Sequence, residues 1–268
     1  MFETPPVWGR FSFVGLAAGM IGSALYTCPM THRPFPAPTS PWVLQMRWLD
    51  LCFMHWPVEP EAIARHLPAG MQLDTWEGRA YLGVVPFRME GIRPRATFDV
   101  PGVSAFPEIN LRTYVTAGGV PGVWFFSLDA AQRLAVRAAR LAFHLPYFDA
   151  RMWTQAQGEL IRYASQRTHA GAAPARFAGA YQPSGPVFYA QPGSLEDWLT
   201  ARYALYSADR HGTIFRGHID HAPWPLQRAR AEVAINTMSE QIGVPLMGEP
   251  HLLYAHRLDV RAWLIERV

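Results

Sequence analysis

"FPEINLRTYV", residues 106–115, decides how this chain is read. Strand side chains alternate with period two, so as a strand it places Glu108, Asn110, Arg112 and Tyr114 on one side. Ile109, Leu111, Thr113 and Val115 fall on the other. The second set suits a core. The first set either meets water, as on a half-buried surface strand, or lines a polar pocket. At about 3.3 Å per residue, Glu108 and Arg112 stand roughly 13 Å apart along the strand. They cannot pair with each other, so each needs another partner.

The neighbouring segments extend this pattern into a sheet. "GVWFFSLD" (122–129) is the expected hairpin partner across "AGGVPG", whose glycines and proline suit a tight connection. "ARYALYSADRHGTIFRGHIDH" (201–221) reads as a second hairpin turning at Asp209 to Gly212. On its second strand Arg216, His218 and Asp220 share a face, again an acid and an arginine together. "WLDLCFMHWPV" (48–58) is a strongly apolar strand, and "MQLDTWEGRAYLGVVPFRM" (71–89) reads as two strands around a Trp-Glu-Gly turn. Short helices are predicted near 59–67, 130–143 and 194–202. The middle one has Asp129 as its expected N-cap, with Gln132 completing a capping-box pattern. It carries Arg133, Arg137 and Arg140 on one face, a stripe that is either solvated or anion-facing. Together these elements predict one α+β domain over residues 42–268, built on a large, mostly antiparallel sheet with enough strands to curl strongly or close into a barrel.

Composition narrows the function classes. At 268 residues, half of them hydrophobic and 17% charged, the chain belongs with folded globular proteins and is long enough to bury a sizeable core. Its net charge of +3 comes without a dense cationic block, so nucleic acid is not an expected partner. All 24 basic residues are arginine, so no lysine is available to form a Schiff base. Only Cys28 and Cys52 occur, which gives no disulfide framework. Glycine-rich phosphate loops and CxxC or HExxH signatures are also missing, and no cofactor or metal is expected. His218 and His221 lie on opposite faces of a strand and do not make a metal pair. Ser127, Ser184 and Ser194 lack a nucleophile-elbow sequence. His55, at the end of an apolar strand, reads as a core histidine.

The first forty residues stand apart. "FSFVGLAAGMIGSALYT" (11–27) is uncharged and fits three readings: a loose extension ahead of a true start at Met30, a membrane anchor, or a cleaved signal. "RPFPAPTSP" (33–41) follows as a stiff proline-rich linker, expected to join neither neighbour's core. A cytoplasmic protein is expected, with membrane contact only if 11–27 is an anchor.

The ordered series "HWPV", "LDTWEGRAYLGVVPFRM", "PEINLRTYV", "GVWFFSLDA", "LPY", "GSLEDWLTARYALY" and "IDHAPWPLQ" resembles the YqjF-like family of uncharacterised bacterial proteins, from about Trp42 to Trp263. That family is a distant relative of acetoacetate decarboxylase. The resemblance implies a cone-like β-barrel around an internal small-molecule cavity. It also implies that Glu108 matches a cavity-lining glutamate, and that Tyr147 falls roughly where the decarboxylase has its Schiff-base lysine. With no lysine in the chain, Schiff-base decarboxylation is excluded.

The expected site follows from pattern and resemblance together. Glu108, His144 and Tyr147 are the candidate acid–base residues. Asn110 and Arg112 are the candidate binding residues, with Arg216 and His218 behind them. Arg112 suits bidentate contact with a carboxylate, and a desolvated Glu108 would have a raised pKa. A lysine-independent acid–base enzyme acting on a carbonyl or carboxylate compound leads. A non-catalytic domain holding a small, apolar or weakly acidic ligand is the alternative, and a structural or membrane-associated protein is a third.

Overall fold

The computed structural model describes residues 32–268 apart from 101 and 103, so the apolar segment 11–27 lies outside the described residues. The first half of the sheet is built from β1 (Leu44–Val58), β2 (Gln72–Leu73), β3 (Ala80–Pro94), β4 (Phe106–Ala117), β5 (Val120–Ala130) and β6 (Tyr147–Gln157). The second half adds β7 (Leu160–Arg167), β8 (Arg176–Phe188), β9 (Ala204–Ala208), β10 (Ile214–Asp220), β11 (Leu226–Asn236), β12 (His251–Ala262) and β13 (Glu266–Arg267). Three short helices interrupt them: α1 (Pro60–Ala64), α2 (Arg133–Phe143) and α3 (Leu195–Thr200). The fold is therefore sheet-dominated α+β.

All thirteen strands belong to one sheet, in the order β13–β10–β9–β5–β6–β7–β8–β11–β12–β1–β3–β4–β2, with further pairings of β4 to β5 and of β10 to β12. Pairing is antiparallel except where β5 runs parallel to β6 and to β9. The β4–β5 hairpin forms as its glycines predict. Gly118 and Gly119 take φ of 58° and 75°, the two positive values a two-residue type I′ turn requires. In the β9–β10 hairpin, Asp209 Oδ1 accepts from the backbone N–H groups of His211 (2.8 Å) and Thr213 (2.9 Å), which closes the turn.

Both faces of β4 are largely covered. Ile109 and Leu111 are fully buried in a cluster with Cys52, Met54, Leu82 and Val84. Phe106 and Tyr114 belong to a second cluster on the opposite side, with Phe53, Phe87 and Leu128. At about 1.5–3 kcal/mol per fully buried aliphatic side chain, this double burial holds β4 in register between β3 and β5.

Several expectations are corrected. Asp129 is not a helix cap. Strand β5 continues through Ala130 because it is still paired to β4 and β6 there, which leaves Asp129 fully buried. The cap is Gln132, whose side chain accepts from Leu134 N–H at 3.1 Å. The Trp-Glu-Gly turn does lie between two strands, closed by a Trp76–Arg79 bridge, and the first of them, the two-residue β2, pairs with β4. Residues 32–41 are also more than a linker. Arg33 is buried against β10, where it donates to Ile219 O and Asp220, and Ser40 O accepts from the Trp263 indole at 2.7 Å. Arg33 and Ser40 both lie within the compact unit His32–Val268. Among the described residues no helix is long and apolar enough to cross a membrane.

Candidate functional site

The row Glu108, Asn110 and Arg112 lines a pocket of about 880 Å³. Its walls are apolar: Val85, Phe87 and Met89 from β3, Val123, Phe125 and Leu128 from β5, and Met46, Trp48 and Leu51 from β1. Two irregularities aim these side chains. Asp50, at φ 52°, sits in the β1 bulge, so Trp48 and Leu51 both face the pocket despite their odd spacing. A register shift opposite Arg112 does the same for Phe125 and Leu128. At the open end, Phe98, Leu134 and Leu264 reach the pocket while remaining 81%, 66% and 63% exposed.

Glu108 is 1% exposed, and one oxygen, Oε2, accepts from Tyr147 Oη–H at 2.9 Å. Burial pushes its pKa up to about 8. The Tyr147 hydrogen bond works against this, and the nearby Asp129 carboxylate adds to it. Tyr147 is itself held well above the ordinary phenol value, first by burial and then by Glu108. Near neutral pH the pair is therefore a protonated carboxyl beside a neutral phenol, able to donate a proton rather than take one.

Four residues further along β4, Arg112 leans away from Glu108. Its guanidinium lies over Phe53 (5.3 Å to the ring centre) and Tyr114 (5.6 Å), and Nη2 donates to Tyr114 Oη at 3.2 Å. Tyr114 Oη–H is committed to Leu199 O at 2.9 Å, so the His55 Nε2 contact at 2.6 Å must have His55 as donor. His55 is fully buried, and burial followed by the Arg112 charge lowers its pKa well below 6.5, consistent with a neutral ring. Gly83 faces Arg112 across the ladder. A β-carbon there would stand 3.0 Å from the His55 ring and 3.3 Å from Arg112 Cγ. Gly83→Ala should destabilise the protein by about 1–3 kcal/mol, the usual cost of overpacking, measured by urea unfolding. An unchanged midpoint would show that His55 and Arg112 have room to move.

Two more polar residues reach the pocket that the sequence did not single out. Arg202 follows α3 and is tied to Asp74 at 2.6 Å and to Trp198 O at 2.6 Å. His221 follows β10, and its Nδ1–H donates to Ala222 O at 2.7 Å. Burial lowers its pKa to about 4, so it is neutral at neutral pH. Both come from connections between elements, where periodicity carries no signal.

One feature unites several residues that line the pocket. Trp48 Nε1, Asn110 Oδ1, Arg112 Nε and Arg202 Nη2 are all buried, and none has a hydrogen-bond partner among the described residues. Buried polar atoms are normally satisfied. Three such donors and one acceptor on one pocket lining are groups that a ligand or water can complete.

Of the residues expected in the site, Glu108, Asn110, Arg112 and Tyr147 meet in this pocket. His144 does not. It ends α2 in the left-handed conformation (φ 50°) and packs on Phe215, outside the pocket lining. Arg216 and His218 point elsewhere too, sharing Glu266 Oε1 at 2.7 and 3.1 Å. On α2, Arg137 pairs with Asp149 and Arg140 donates to Tyr147 O, so those arginines brace β6.

This architecture places the protein among acetoacetate decarboxylase-like folds. It is similar to an enduracididine biosynthesis enzyme, MppR, complexed with pyruvate (TM-score 0.58, 13% identity, covering 93% of this chain and 98% of that one). It is also similar to acetoacetate decarboxylase from Legionella pneumophila (TM-score 0.55, 13% identity, 88% and 92% covered). At such identities the likeness concerns the fold alone. The chain belongs to the DUF2071 family of uncharacterised conserved proteins, whose model matches residues 45–259. Within reach by sequence is the uncharacterised protein YqjF of Bacillus subtilis, 42% identical over 237 residues that make up 88% of this chain and 97% of that protein.

Proposed function

We propose that the protein handles an organic acid in the pocket lined by β4, binding its carboxylate at Arg112, with the Glu108–Tyr147 pair facing a part of the ligand remote from that carboxylate. The observation that carries this reading is Arg112 itself. It lines the pocket, its Nε–H is buried without a partner, and no carboxylate among the described residues lies within ion-pair distance of it. A guanidinium left without an anion in a largely apolar pocket is costly, and a ligand carboxylate removes that cost. The β4–β5 and β10–β12 pairings support the further inference that the sheet closes into a cone-like barrel around the pocket.

Chemistry at this site would use Glu108 as general acid, since its proton is retained to about pH 8. A lysine-dependent step is unavailable. The alternative is a binding domain without turnover, favoured by the predominance of apolar wall over polar groups. Arg112→Gln separates an anion site from a structural arginine. Affinity for a carboxylate should fall by about 2 kcal/mol, roughly thirtyfold, while the matching alcohol binds unchanged. Equal loss for both would defeat the carboxylate reading. Turnover of a bound oxo acid that falls as pH rises through about 8, and is lost in Glu108→Gln, would favour catalysis over simple binding.

A further inference from the structure

We propose that the ligand is an elongated amphipathic monocarboxylic acid, its carboxylate at Arg112 and its apolar body running past Asn110 and Glu108 toward the exposed rim. This rests on the reading of Arg112 as a carboxylate site and adds the length, charge and polarity of what it holds.

Length follows from β4. Glu108 and Arg112 are separated by roughly 13 Å of strand. Their functional groups diverge further, because Arg112 reaches toward Tyr114 and Leu199 while Glu108 is turned to Tyr147 on β6. A three- or four-carbon oxo acid seated on Arg112 cannot also touch Glu108. Charge follows from the ion pairs. Arg202, the second guanidinium at the same end, is already paired with Asp74 at 2.6 Å, so Arg112 supplies one uncompensated positive charge, matching a monoanion. Polarity follows from the walls. The lining includes Val85, Phe87, Leu128 and Phe125 beside Asn110, and Phe98 and Leu134 at the rim are apolar and exposed. The volume of about 880 Å³ suits a ligand of drug-like size rather than a four-carbon metabolite.

The test uses the full chain with acetate, butanoate, hexanoate, octanoate and decanoate, alongside 1-octanol, octanedioate and acetoacetate, followed by calorimetry. Affinity should climb about two- to fourfold per methylene from butanoate to octanoate, the gain from burying each CH₂. Octanoate should bind at least tenfold more tightly than 1-octanol and than octanedioate, whose second charge would sit among apolar side chains. In Arg112→Gln, octanoate and 1-octanol should become equivalent. Affinity that does not grow with chain length, or acetoacetate binding as tightly as octanoate, would overturn the elongated ligand while leaving a carboxylate site intact. If octanoate and 1-octanol bind the unaltered protein equally, the carboxylate site itself falls, and that comparison needs no variant to fold.

Discussion

Glu108→Gln should abolish a loss of stability that the unaltered protein suffers between pH 4.5 and 8. The ordinary glutamate value is 4.5, whereas burial holds Glu108 at about 8 in the folded chain. Across that window the folded state keeps a proton that the unfolded state has released. Stability is therefore fully present below pH 4.5 and declines as pH rises, by up to about 1.4 kcal/mol per pH unit, until the folded group ionises near 8. Glutamine keeps the shape and a hydrogen bond with Tyr147 but cannot ionise. Urea midpoints measured from pH 4 to 9 should slope downward for the unaltered protein relative to Glu108→Gln, with the variant the more stable at the alkaline end. Parallel curves would mean that Glu108 is solvated or stabilised as a carboxylate, and the case for it as a proton donor would fail with them.

The same residue shows what a sequence can disclose. The alternation in 106–115 separates Glu108, Asn110 and Arg112 from Ile109 and Leu111 without any tertiary information, because period two is a local property of strands. Whether the polar side meets water is not local. It depends on β1, β5 and α2 covering that face, and the alternation is the same whether or not they do. Only resemblance to a family with an internal cavity favours the covered face. Arg216 and His218 have the same alternation as Glu108 and Arg112, yet they meet Glu266 across the β10–β13 ladder. Identical patterns thus led to different places.

Local rules failed where a longer-range partner outcompeted them. Asp129 with Gln132 is a sound capping box on paper, but pairing to β4 and β6 carries the strand past Asp129 and delivers its carboxylate to Arg167. His144 sits just three residues from Tyr147, so sequence proximity alone points both to one site. The left-handed turn at the end of α2 rotates it onto Phe215 instead. Arg202 and His221 had no signal to follow, since each lies in a connection whose course is set by packing.

Arg167→Ala should be among the most destabilising single substitutions in the chain, at about 3–5 kcal/mol near neutral pH, the range for removing one member of a buried ion pair. Arg167 donates to both oxygens of Asp129 from Nε at 3.1 Å and to Oδ1 from Nη2 at 2.7 Å, with both side chains almost wholly removed from solvent. Nη1 continues to Gln241, which in turn donates to Ser127 Oγ, so the pair also ties β5 and β7 to the turn before β12. The guanidinium lies 4.2 Å from the centre of the Phe148 ring, adding packing that alanine would also remove. Burial already raises the Asp129 pKa against the opposing pull of Arg167. Without Arg167 that value must rise further above the ordinary 3.8, so the variant should recover stability as pH falls toward 3.8 and lose it as pH rises. Asp129→Leu combined with Arg167→Met replaces the pair with apolar volume and should restore most of the loss, because the penalty comes from the charge left unpaired. Chemical denaturation of the unaltered protein and the two variants at pH 5 and 7.5 decides the matter. If the double variant is as unstable as Arg167→Ala, the arginine acts through Gln241 and Phe148, and the ion pair is incidental.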